Sequence, residues 1–432
     1  VPRNWADPDG PTLQLALARH PATDPAVRIG SLVMDPGGPG VSGVDDLGNE
    51  LTSLTPGILA RYDIVTFDPP GVGQSDPVTC GEGPGGAPGP LADPVPQTAA
   101  ARRALESGDR HYAVDCETAS GDILPFVGTV DVARDLDRIR QALGDAALTY
   151  EGQSYGTLIG EVYAELYPTH VRAMVLDSPL DPALSFTATV QGQAEGFEQS
   201  LDAFFSWCAG AGCAFRPTGD PTAAVLALLA GVRARPLSVG GRTVGPGELY
   251  DALLEGLYSR SRWAQLGQAL EGIAAAGDGA GVLTLSDDYN QPSTPNLDDA
   301  NNAVNCVDHD APVDFSAYPA LAATAAETAP VFGPLLAWGE ATCAVWPVPP
   351  DRVAAPVRAP GTPEVLVVGT TGDPATPYAW ARAVAAQFPH GVLLTRQGND
   401  HVASFYSACV RSAVEAYLVA GAAPAPGTVC SD

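Results

Sequence analysis

Gly152-Gln153-Ser154-Tyr155-Gly156 is the stretch of this sequence best suited to chemistry. It follows the β-branched run ALTYEG at 147–152 and opens the helical stretch TLIGEVYAELY at 157–167. A serine between two glycines in that setting predicts a sharp strand-to-helix turn that holds the hydroxyl at the end of a sheet, which makes Ser154 the candidate nucleophile. The plainer alternative is a structural glycine-rich turn. A serine hydroxyl attacks poorly near neutral pH unless a base takes its proton and an acid orients that base. The order expected on an α/β-hydrolase sheet is Ser, then Asp or Glu, then His. Of six histidines, His401 in GNDHVAS stands just past the last strand candidate, where the base belongs. His309, inside Asp308-His309-Asp310, reads as a solvated polar turn, and His20, His111, His170 and His390 lie in loops or at element ends. Asp373 in GTTGDPATP follows the penultimate strand candidate and is the expected acid; Asp177, after an earlier strand, is the runner-up. Asp400 is the chain neighbour of His401 and is badly placed to turn back to the far ring nitrogen.

An oxyanion hole needs backbone N–H groups that no side chain obstructs. Asp35-Pro36-Gly37-Gly38-Pro39-Gly40 follows a strand candidate directly. The N–H of Tyr155 and one from Gly37 or Gly38, with Gly38 preferred, are the expected donors; a mere tight turn is the alternative.

These groups need a scaffold. The runs GSLVMD (30–35), YDIVTFD (62–68), ALTYEG (147–152), RAMVLD (172–177), EVLVVGT (364–370) and GVLLTRQ (391–397) are short and apolar throughout, as strands buried on both faces of a parallel sheet are. TVDVARDLDRIRQALG at 129–144 places Val132, Leu136, Ile139 and Leu143 at helical spacing and ends on Gly144. Between about 183 and 355 the chain is Ala/Leu-rich with helical periodicity. We therefore expect an α/β-hydrolase fold, a mostly parallel central sheet flanked by helices, with core segments 1–182 and 356–432 and an inserted, mainly helical cap over 183–355. The Pro/Gly-rich stretch 81–99 reads as an exposed loop. The polar run 286–302 reads as a solvated cap loop, since it lacks the spacing of a calcium loop.

The 432 residues carry 50 acidic side chains against 22 basic ones, all Arg, for a net charge of -28. That surplus repels phosphate backbones and anionic lipid, so nucleic acid and membrane surfaces are excluded as partners. No apolar run approaches the roughly 20 residues of a membrane span. With 45% hydrophobic and 17% charged residues the chain has the composition of a folded protein. The start VPRNW lacks a charged and an apolar signal region, so a leader has been removed or never existed. Eight cysteines, none in metal-binding spacing, argue for an oxidising compartment and hence secretion. Pairing sequence neighbours gives Cys80–Cys116, Cys208–Cys213, Cys306–Cys343 and Cys409–Cys430 as expected disulfides. Neither a metal nor a cofactor is implied, and a monomer is the expected state.

Together, GGPGVSG (37–43), FDPPGVGQS (67–75), GQSYGT (152–157), GDPATPYAWA (372–381) and the tail from His401 through GTVC resemble the secreted actinobacterial tripeptidyl aminopeptidases, α/β-hydrolases related to proline iminopeptidases. The resemblance spans both sheet segments and includes Cys409 and Cys430, and is weak across the cap. It implies a Ser-Asp-His triad at Ser154, Asp373 and His401 that releases short peptides or single residues from free N-termini. Three positions depart from the family pattern: Asp35 replaces His or Asn before the Gly-Gly loop, Pro70 stands where Arg is common, and Asn399-Asp400 replaces the glycine before the histidine. Such exopeptidases must hold a protonated amine, which buried carboxylates do through charge-assisted hydrogen bonds. Glu195 and Glu198, with Asp202, lie opposite the apolar stripe Phe197, Leu201, Phe204 and Phe205; they are candidate anchors, or else a solvated acidic face. Asp308, in NAVNCVD, lies in a segment that looks like a family cap motif and is a third candidate. The expected substrate is a peptide or a small amide or ester. An esterase or amidase acting on a non-peptide is the rival reading, and a catalytically silent binding protein on this fold a more distant one.

Overall fold

The computed structural model describes residues 1–81, 93–290 and 294–432, so the middle of the expected 81–99 loop and part of the 286–302 run lie outside the described residues. Ten strands are present among the described residues: β1 Leu17–His20, β2 Gly30–Asp35, β3 Tyr62–Phe67, β4 Leu148–Gln153, β5 Val171–Asp177, β6 Leu237–Val239, β7 Arg242–Val244, β8 Val365–Thr370, β9 Gly391–Arg396 and β10 Val429–Cys430. Eight of them form one sheet in the order β1-β3-β2-β4-β5-β8-β9-β10, parallel except for β1. This is the α/β-hydrolase fold expected from the apolar runs. Strands β2, β3, β4 and β8 are buried at every residue. Alternation sorts their side chains to two cores: Leu32, Met34 and Ile64 on one face, Val33, Val65 and Tyr150 on the other.

The chain leaves β2 for β3 on one side and returns to β4 on the other, so the strand order reverses between β2 and β4. The crevice beyond the carboxyl ends of strands at such a reversal is the natural ligand site of an open α/β sheet. Asp35 pairs with Gly152 across this boundary, which brings the Gly37-Gly38 loop against the turn at Ser154.

Between Phe186 and Gly339 the regular elements among the described residues are helices apart from the β6–β7 hairpin, and they pack around Phe197, Phe204, Trp263 and Phe332. None of the described helices is long and apolar enough to cross a membrane. The four neighbour pairings of the cysteines are all formed, Cys80–Cys116, Cys208–Cys213, Cys306–Cys343 and Cys409–Cys430.

Several expectations need correction. The 286–302 run is not one loop: Ser286–Tyr289 ends the helix Ala280–Tyr289, and 297–302 open the helix Leu297–Asp308, whose inner face packs on the core. The end of the 81–99 stretch is anchored, with Val95 buried and Asp93 paired with Arg233. Strand β1 went unread because its residues alternate between exposed and half-buried at a sheet edge, leaving no apolar run.

Candidate active site

Ser154 has φ of 53°, in the left-handed region that non-glycine residues rarely adopt. Its N–H donates to the Asp177 carbonyl, and its own carbonyl accepts from the N–H and hydroxyl of Thr157. The flanking glycines are steric requirements. A Cβ at Gly152 would lie 2.4 Å from the Gly156 carbonyl oxygen, and one at Gly156 would lie 2.4 Å from that of Asp35. The turn thus holds a strained serine at the N-terminus of the helix Gly156–Leu166.

The structure brings His401 to Asp373. The ring Nδ1 lies 2.9 and 3.1 Å from the two Asp373 oxygens. Asp373 is buried and also accepts the N–H groups of Ala375 and Thr376 at 3.0 and 2.9 Å. The Thr376 hydroxyl stands 3.4 Å from the same ring nitrogen. Nδ1 is therefore the nitrogen turned to the acid, which leaves Nε2 for other work. Among the described residues no hydrogen bond joins Ser154 Oγ to His401, as is common before substrate draws such a pair together. The two other carboxylates near the histidine have separate duties. Asp177 accepts the N–H groups of Ala403 and Ser404 and fastens the loop after His401. Asp400 accepts from Ser259, Arg260 and Arg396.

Gly37 and Gly38 have φ of 89° and 111°. A Cβ on Gly37 would sit 2.8 Å from the Tyr155 nitrogen, so the loop touches the turn backbone to backbone. The Gly37 N–H is taken by Asp35 at 2.9 Å, which leaves Gly38 as the free donor of the pair. Neither Gly38 N–H nor Tyr155 N–H has a hydrogen-bond partner among the described residues.

Ser154, Gly38 and Tyr155 open into a cavity of about 230 Å³. The helical layer supplies most of its remaining wall, with Gln193, Tyr258, Asn301, Asn305, His309 and Glu340 among the polar members. Tyr258 packs edge-on against the His401 ring, and its carbonyl accepts the His401 N–H at 3.0 Å. Burial pushes the Glu340 carboxyl up to about 7, and no side-chain cation among the described residues pairs with it. His309 is a wall residue and not a solvated turn; burial takes its ring down to about 4, which keeps it neutral.

The three expected amine anchors do not line this cavity. Glu195 bonds Gln191 and Thr328. Glu198 is buried rather than solvated and accepts the N–H groups of Val331 and Phe332 at 3.1 and 3.4 Å, where it caps a helix start. Asp308 is buried against Thr129, taking its N–H at 2.8 Å and its hydroxyl, and the Thr129 hydroxyl in turn meets the Tyr155 phenol at 2.6 Å. Asp308 thus braces Tyr155 from behind. Glu340 was missed because nothing in its local sequence separates it from the other acidic residues. Thr376 stood in the quoted GDPATP motif, and its position three residues after Asp373 was the available signal.

A family model described as TAP-like protein matches residues 329–430. The whole chain aligns at 38% identity with 86% of the serine protease Hip1 of Mycobacterium tuberculosis. It aligns at 34% identity with 82% of the tripeptidyl aminopeptidase of Streptomyces coelicolor, and at 36% with 85% of carboxylesterase B of M. tuberculosis. On this likeness, which extends over the full chain, the protein is a serine hydrolase and belongs to the TAP-like family of α/β-hydrolases that includes Hip1 and the tripeptidyl aminopeptidases.

Proposed function

We propose that the protein is a secreted aminopeptidase that releases single residues or short peptides from free N-termini through an acyl-enzyme on Ser154. The observation that carries this reading is a cavity whose wall holds both Ser154 with the two free N–H groups and Glu340, a buried acid with no cationic partner among the described residues. A substrate seated there has its carbonyl at the serine and its protonated amine at the glutamate, where a charge-assisted hydrogen bond holds it.

In this mechanism His401 Nε2 takes the Ser154 proton as Oγ attacks the carbonyl carbon. The Gly38 and Tyr155 N–H groups stabilise the oxyanion. Asp373 keeps the proton on Nδ1 and stabilises the imidazolium. Collapse of the tetrahedral intermediate expels the leaving amine, which takes its proton from His401, and water activated by the same ring then frees the acyl group. Secretion belongs to the reading because four disulfides persist in oxidising compartments.

The name of one relative, carboxylesterase B, supports the rival reading of a non-peptide esterase or amidase. Free and N-acetylated peptidyl anilides of one to three residues separate the two. The aminopeptidase reading expects kcat/KM to fall at least about a hundredfold on acetylation, and Glu340→Gln to weaken only the free-amine substrates, by about 2 kcal/mol or more. Equal rates on both series would overturn it. Ser154→Ala is expected to abolish turnover and labelling by a fluorophosphonate while the melting curve is unchanged; label retained on another residue would remove Ser154 from the mechanism.

A further inference from the structure

A second cavity, of about 220 Å³, lies between the helix Gly156–Leu166 and residues 351–357 and shares no wall residue with the cavity at Ser154. Glu161 lines it. That residue is 1% exposed, and neither of its carboxylate oxygens has a hydrogen-bond partner among the described residues. Its neighbour one turn on, Glu165, is already engaged, accepting the Arg358 N–H at 2.6 Å. Arg352 stands on the same wall and gives a single hydrogen bond, to the Pro182 carbonyl at 2.9 Å. Asp351 is also on this wall, and the rest of it is apolar, with Val162, Leu166 and Val357 among its members.

A carboxyl buried without a partner is expensive, and native proteins rarely leave one unless something fills the space beside it. Here the space exists. It offers the unsatisfied carboxyl of Glu161, a further acid in Asp351, one guanidinium with donors to spare and an otherwise apolar lining, in a volume suited to a molecule of amino-acid size. Nothing in the proposed mechanism uses any of these groups. We propose that this cavity is a binding site for a free amino acid with an apolar side chain, its ammonium on Glu161, its carboxylate on Arg352 and its side chain against Val162, Leu166 and Val357. Both charges are needed: an ammonium alone leaves the guanidinium unmatched, and a carboxylate alone leaves Glu161 as it is.

Titration calorimetry of L-leucine into the intact protein tests this, with L-leucinamide and N-acetyl-L-leucine as analogues that each lack one charge. Leucine is expected to bind, and each analogue to bind at least about tenfold more weakly, the factor a lost charged contact of about 1.4 kcal/mol gives. Glu161→Gln is expected to weaken leucine at least about tenfold and to leave anilide turnover in the absence of leucine unchanged, whereas Glu340→Gln leaves leucine binding intact. Arg352→Gln is expected to weaken leucine but not leucinamide, and it carries the test should Glu161→Gln fail to fold. No binding at millimolar leucine means that water satisfies Glu161, and it overturns the proposal. So does binding that is lost in Glu340→Gln and kept in Glu161→Gln, which places leucine in the catalytic cavity. The assay reads binding and not turnover, so failure of the aminopeptidase reading leaves a distinct signature.

Discussion

At Ser154 the backbone is strained because two glycines permit it, and the strain holds the serine in the cavity wall. Asp373 is the residue on which the proposed proton traffic depends, since its carboxylate is the acceptor that holds hydrogen on Nδ1 of His401. Asp373→Asn keeps the shape but donates where a carboxylate accepted, so the ring is held in the wrong tautomer. We expect kcat on a peptidyl anilide to fall by about 10⁴-fold with KM changed little. A KM effect with kcat preserved would instead make Asp373 a residue of substrate binding. Ser154, Asp373 and His401 stand out in the sequence as candidates because each lies in the turn or loop that follows an apolar strand, in an order that a single sheet edge can assemble. Glu340 does not. Its place on the cavity wall is set by how the helices after Phe332 pack on the Phe186–Ala211 helix, and no local pattern records that.

At the scale of elements, the histidine loop and the helical layer are fastened to each other. The end of the helix Pro246–Tyr258 meets the loop through Tyr258 O and His401 N–H, and Asp400 adds the Ser259 hydroxyl and the Arg260 N–H, both at 2.9 Å. The other Asp400 oxygen holds Arg396 at 2.7 Å, with both side chains buried. Asp400→Ala leaves that guanidinium buried without its counter-ion, a change that costs about 3–5 kcal/mol in comparable pairs. We expect the urea midpoint to drop accordingly and kcat to fall with it, because the same loop carries His401. An unchanged kcat at reduced stability would show that the latch does not position the base. The sequence displayed Asp400 only as an unsuitable triad acid, since two of its partners, Ser259 and Arg260, arrive from a helical segment more than a hundred residues away. The strands were legible for the opposite reason: burial on both faces writes itself as an apolar run, while the edge strand β1 and the β6–β7 hairpin, exposed on one side, write nothing comparable.

Across the whole molecule the acidic surplus has a partly buried component. Burial pushes Asp35 up to about 7, and Asp135 and Glu151 up to about 8, and the Glu151 oxygens have no partner in the described structure. In an unfolded chain such groups titrate near 4. Between about pH 4 and pH 8 the folded protein therefore binds more protons than the unfolded chain, so stability is highest on the acid side of this window and declines as pH rises through it. Repulsion among the surface carboxylates, with a net charge of -28 near neutrality, acts in the same direction. The acid limit has another origin. Burial alone would raise Asp137, but hydrogen bonds from Arg140, Gln141, His170 and Tyr163 carry it down to about 2. Its contribution is present above about 4 and is lost as pH falls through 2. The two slopes place the maximum near pH 4–5. Thermal melts at constant ionic strength are expected to show Tm falling steadily from pH 5 to pH 8, and Glu151→Gln, which cannot ionise, is expected to flatten that decline. A Tm that rises over the same interval would mean that these carboxyls are ionised in the folded protein, and that cations or water reach them. The same reasoning bears on function: burial takes Glu340 to about 7, so the proposed amine anchor gains its charge over the interval in which the fold loses stability. Activity on free-amine substrates is then expected to rise through pH 7 while Tm falls, and on acetylated substrates Glu340→Gln leaves the pH profile unchanged.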